Sequence, residues 1–250
     1  MPTPFTHLHI TNQIYNDATL PETVRAVLHN AQPDFLLGGV VADARAYPGA
    51  DRSITHFYRY DRAMPDNPWR EMLRQHPVLT DIHHPEHTAF LAGYVAHLAA
   101  DEYWSRNMLK PHFAENDWGA GIRDRFYILH LLLIYMDERD EARLPDGIPQ
   151  LMRQSIPHNW LPFMDDRVIC DWRDFIAQQL EGESETLNIF GGRISTPPQK
   201  VREMLDNATF MQQRLWDNVT PETVAQIEAD LYIFARERML TYLDEFTHIK

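Results

Sequence analysis

Helical periodicity constrains this chain more than any other feature. After Leu20, Pro21 suits the first turn of a helix, where its missing N–H is not needed, and Val24, Val27 and Leu28 then share one face. Thr220-Pro221-Glu222 opens the last helix in the same way, and Val224, Ile227, Leu231 and Phe234 follow at three- and four-residue spacing. Between them the pattern predicts helices near Trp69–Gln75, Glu86–Lys110, Ile122–Glu138, Ile148–Gln154, Asp171–Leu180 and Pro198–Trp216. Strand signals are thin. Phe35–Val41 and Ile54–Tyr60 have β-like composition, but they are short and flank polar turns. The expectation is one all-α domain over residues 1–250, with long loops at 31–66 and 181–198.

Composition narrows the function classes. A hydrophobic content of 44% can fill a core at this length. Acidic residues outnumber basic ones 36 to 23, a formal charge of −13, which disfavours coating nucleic acid or anionic membrane. Cys170 is the single cysteine, so no internal disulfide forms and a reducing, cytoplasmic location is expected. The start, MPTPFTHLHI, lacks the basic region of an export signal. The longest charge-free runs, His87–Ala100 and Phe126–Met136, fall short of the ~18–20 apolar residues of a membrane span. No P-loop, dinucleotide-binding, GxSxG or HExxH signature occurs.

Histidine is the residue to follow, because imidazole is the commonest metal-binding side chain. Of 13 histidines, 11 lie at or before His130, so a metal site belongs to residues 1–137 and 140–250 reads as packing helices. The strongest local signal is FLAGYVAHLAADEYW, 90–104. On a helix His97 and Asp101 are one turn apart and can bind one cation, or simply each other. Gly93 and Ala100 leave room for a neighbouring element, while Tyr94 and Trp104 extend the face and are candidates for lining a substrate pocket. His7, Asp43 and His56 sit among apolar neighbours, where an unpaired charge costs several kcal/mol. Shared coordination accounts economically for all five.

The series PFTHLHI, FLLGGVVADAR, THFYR and FLAGYVAHLAADEYW resembles the zinc-dependent phospholipase C family over about residues 4–137. The resemblance implies the all-α fold that this family shares with S1/P1-type nucleases, and a cluster of two or more zinc ions. By the same resemblance His7 and Asp43 are ligands of one zinc, and His56, His97 and Asp101 of another, with Asp43 as candidate general base. Two departures stand out: six residues precede His7, where secreted members bind metal through a terminal tryptophan amine, and His130 is followed four residues later by Ile134 rather than Glu. His130 is the reserve ligand. His83, His84 and His87 read as a solvated loop, His9 as pointing away from His7, and His29, His76, His158 and His248 as peripheral.

The function expected from these residues is metal-dependent hydrolysis of a small phosphate ester or phospholipid. The alternative is a non-catalytic helical metal-binding or interaction protein that keeps one structural ion.

Overall fold

A helix that is apolar on every side belongs in the middle of a bundle, because no face of it can be left to water. Pro85–Trp104 is such a helix: every residue from His87 to Glu102 is buried. In the computed structural model, which describes residues 2–44, 51–59, 62–182 and 184–246, helices from both ends of the chain pack against it. In chain order they are α1 (Pro4–Tyr15), α2 (Glu22–Asn30), α3 (Gln32–Val41), the single turn α4 (Ser53–His56) and α5 (Pro68–Gln75). The central helix is α6 (Pro85–Trp104), and it runs on through Ser105–Ala114 in wider π-type turns around Pro111. Then come α7 (Ile122–Glu141), α8 (Ile148–Met152), α9 (Asp166–Glu181) and α10 (Thr186–Arg193). The chain closes with α11 (Pro198–Asp206), α12 (Ala208–Met211) and α13 (Pro221–Phe246).

The class is all-α, as expected: among the described residues the only β pairing is an isolated bridge between Leu161 and Met164. Among the described residues no helix is long and apolar enough to cross a membrane. The expected loops need correction. The 31–66 segment contains α3 and α4, and the 181–198 segment contains α10. Phe35–Val41, β-like in composition, is helical because it is buried on all sides and so has no polar stripe to reveal a helical period. Burial of eight of the twelve residues of α1 blurs its period likewise. Tyr60 and His248 lie outside the described residues.

Three glycines set the spacing that brings the first half together. A Cβ on Gly38 would lie 1.9 Å from the Phe90 carbonyl oxygen, and one on Gly93 would lie 2.2 Å from that of Phe35. One on Gly39 would meet the Thr11 hydroxyl at 2.1 Å. Helices α3 and α6 therefore pack nearly backbone to backbone, and the Thr11 side chain of α1 sits directly on α3, approaches that only a residue without a side chain permits. The C-terminal helix α13 covers the other side of α6, while α10 and α11 lie on α7.

Candidate metal centre

The close α3–α6 contact places the Gly39 carbonyl against the ring of His97, 2.9 Å from Nδ1. A carbonyl can only accept, so Nδ1 carries the proton and Nε2 keeps its lone pair. This is the arrangement that orients metal-binding imidazoles. One turn on, Asp101 is completely buried, with Oδ1 3.2 Å from Nε2 of His7 on α1. Neither of those two atoms makes a directed hydrogen bond. The rings of His7 and His97 stack at 3.7 Å between centroids.

The other half of the site follows α3. Asp43 stands just past its end, and α4 carries His56. Phe57 then adopts a left-handed conformation (φ 60°), which turns the chain so that Tyr58 follows His56 into the same site. Nε2 of His56 lies 3.4 Å from Asp43 Oδ1, 3.5 Å from Asp101 Oδ2 and 3.4 Å from Nε2 of His97. The Thr55 hydroxyl engages His56 Nδ1 at 2.9 Å, and the Tyr58 hydroxyl donates to Asp101 Oδ2 at 3.1 Å. Two donor groups result, His7/His97/Asp101 and Asp43/His56/His97, each with ligand atoms within 4.8 Å of one another. Either could hold a metal ion. These five residues come from widely separated positions in the sequence.

Arg52 completes the site. Its guanidinium donates through Nη1 to Asp43 Oδ1 at 3.1 Å and through Nη2 to Asp101 Oδ2 at 2.7 Å. Burial works against ionisation of Asp101, but Arg52 and the adjacent His7 and His97 imidazoles override it and hold the carboxyl well below the usual range. Burial is likewise overridden at Asp43, by the His56 hydrogen bond and by Arg52. The imidazoles respond the other way. Burial, reinforced by His7, pushes His97 down to about 3, and burial with Arg52 lowers His56. Asp43 and Asp101 are thus ionised while His56 and His97 are neutral nitrogen donors, the forms a dication binds.

The donor set fits a borderline metal such as zinc. The unsatisfied His7 Nε2 and Asp101 Oδ1, together with the His97 lone pair, are what a cation would use. The expected trio His56, His97 and Asp101 does meet, its ligand atoms 3.4, 3.5 and 3.9 Å apart. The expected pairing of His7 with Asp43 is replaced: His7 joins His97 and Asp101, and the two donor groups share His97. With Nδ1 committed to Gly39, His97 has one lone pair and serves one ion, so two ions cannot both draw on it.

Asp43, Arg52, His56 and Tyr58 line a cavity of 1310 Å³. Arg59, Arg62, Arg106 and Arg193 add positive charge, and Phe126, Phe163, Trp172 and Phe190 an apolar wall. His130 also lines it, but on α7, where Nδ1 donates to the Phe126 carbonyl at 2.7 Å; it belongs to neither donor group. Tyr94 and Trp104 do not line this cavity. The Tyr94 hydroxyl donates to the Thr55 carbonyl at 2.7 Å and struts α4 onto α6, while Trp104 faces a second cavity of 590 Å³ with His9. His83 and His84 are exposed, but His87 is buried in α6 and stacks on Trp160.

Arg52 and Tyr58 escaped sequence reasoning, although Arg52 precedes His56 by one helical turn, a signal that was available. Comparison with family models, curated proteins and solved structures found no match.

Proposed function

We propose that this chain is a metal-dependent hydrolase of phosphate esters. The observation that supports it is the meeting of three imidazoles and two carboxylates at the wall of a large cavity that also carries a guanidinium. His7, His97 and Asp101 would hold the ion, with His56 and Asp43 on its cavity side. A bound dication would supply a Lewis acid for a phosphoryl oxygen and bring the pKa of water near neutrality.

The chain's own residues do the rest. Gly39 fixes the His97 tautomer, and Tyr58 orients the Asp101 carboxylate. Asp43, the base expected from the sequence, is engaged by Arg52, so proton removal from the attacking water passes to His56, with Thr55 supporting its ring. The cavity pairs arginines with aromatic side chains, which favours an ester with an apolar group, as in a phospholipid, over a purely polar one.

The alternative, a helical protein with one structural ion and no turnover, draws on the burial of His7, His97 and Asp101, none more than 1% exposed. His97→Ala separates the readings. It should strip bound metal, measured by elemental analysis, and lower hydrolysis of bis-p-nitrophenyl phosphate by more than about 100-fold. Wild-type protein that holds metal yet hydrolyses no phosphodiester supports the structural ion. Turnover that survives complete chelation sinks the hydrolase.

A further inference from the structure

Arg52 bonds to the very atoms that a second ion would need. Its two Nη nitrogens take Asp43 Oδ1 and Asp101 Oδ2, and those oxygens are the ones that His56 Nε2 faces at 3.4 and 3.5 Å. The other part of the cluster is arranged differently: Asp101 Oδ1 and His7 Nε2 make no directed hydrogen bond. One carboxylate therefore presents one oxygen to a guanidinium and the other toward an unsatisfied imidazole. We infer that Arg52 is the second cation of this centre: it fills the His56/Asp43/Asp101 position, limits the protein to one tightly bound dication at His7/His97/Asp101, and recognises the phosphoryl group of the substrate from beside that ion.

Charge and shape both support this. Because metal ligation requires neutral imidazole, the two carboxylates, the guanidinium and one dication leave a single positive charge, which suits a phosphodiester monoanion. A second dication added beside Arg52 would leave three positive charges in a largely buried site, where like charges repel strongly. A guanidinium is a planar fork whose geometry spans two carboxylates and matches phosphate oxygens, where an ammonium offers only a point charge. Arg52 is 27% exposed and lines the cavity, so it touches both the carboxylates and the space a substrate would enter. The shared lone pair of His97 argues in the same direction, since a two-metal centre would leave one ion without it.

This inference rests on the metal reading above, and the experiment separates the two. Wild-type full-length protein, Arg52→Gln and Arg52→Lys are titrated with Zn²⁺ against a competing chelator, and inorganic phosphate binding is measured at one equivalent of zinc. Wild type should take one tight ion per chain. R52Q should take two, because the oxygens that Arg52 held become available, and at one equivalent it should bind phosphate at least about tenfold more weakly. R52K keeps the charge but not the fork, and should admit the second ion only at higher zinc while also losing phosphate affinity. Two tight ions in wild type overturn the inference, as does R52Q held at one ion or with wild-type phosphate affinity. Should R52Q fail to fold by circular dichroism, R52K decides, and wild-type phosphate affinity there overturns it. Wild type that takes no zinc overturns the metal reading itself, before any variant is compared.

Discussion

Asp101 and Asp137 are aspartates on the 20-residue helices α6 and α7, 0% and 2% exposed, yet they are held in opposite states. Burial disfavours the charged form of each. At Asp101 a guanidinium and two imidazoles overcome it, and the carboxyl stays ionised. At Asp137 the donors are neutral: the Phe5 backbone N–H at 3.1 Å and the hydroxyls of Thr186 and Thr3. Burial then prevails, and the carboxyl is pushed up to about 7. The charge of the partners separates a carboxylate that can hold a cation from one that ties down a chain. Asp137 does the tying. It accepts from the first turn of α1, where N–H groups lack helical partners, and so fixes the helix that carries His7.

The largest effect expected is from spreading the glycine contact under the first carboxylate while leaving the second alone. Gly93→Ala places a Cβ 2.2 Å from the Phe35 carbonyl and 2.8 Å from the Gly39 nitrogen, backbone atoms that cannot turn aside. Separation of α3 from α6 withdraws Gly39 from His97 and Asp43 from His56. The variant should lose more than about 3 kcal/mol in denaturant unfolding and should fail to retain zinc. Full stability with full zinc content would show that the close packing does not build the site.

Next in size is removal of the charge itself. Asp101→Asn removes the charge that pairs with the Arg52 guanidinium at 2.7 Å and should cost about 3 kcal/mol in denaturant unfolding near neutral pH. It should also remove bound metal. If D101N costs no more than a surface substitution, the site is not held together by charge, and the contrast with Asp137 fails.

The fold class was legible because amphipathic helices announce themselves by spacing, as α13 does through Val224, Ile227 and Leu231, all buried. What was illegible is what is buried all round. Helix α3 is buried from Asp34 to Val41 and has no polar face, so periodicity is silent on it, and Phe35–Val41 read as β-like for that reason. The site was legible as a set of residue types. His7, Asp43, His56, His97 and Asp101 do meet, but their grouping depends on which ring faces which carboxylate, and spacing along a chain does not encode that. Tyr94 and Trp104 share a helix with His97 yet turn elsewhere, because α6 is enclosed and each of its faces meets a different neighbour.

The smallest effect tests the second carboxylate. Its folded-state pKa lies above the unfolded one, so between about 4 and 7 the folded protein keeps a proton that the unfolded chain has released. Stability from this group is full below the unfolded pKa and is lost as pH rises through about 7. His97 and His87, pushed down by burial to about 3 and about 4, act in the opposite sense, stabilising the fold as pH rises toward the ordinary histidine range. They remain in Asp137→Asn, so the difference between wild type and variant isolates Asp137. At about 1.36 kcal/mol per unit, that difference should move by about 2 kcal/mol in favour of the variant between pH 5 and pH 7, read from urea unfolding at each pH. A difference that stays flat over this range would mean that Asp137 is ionised like Asp101, with a positive partner close by, and the distinction between the two carboxylates would disappear.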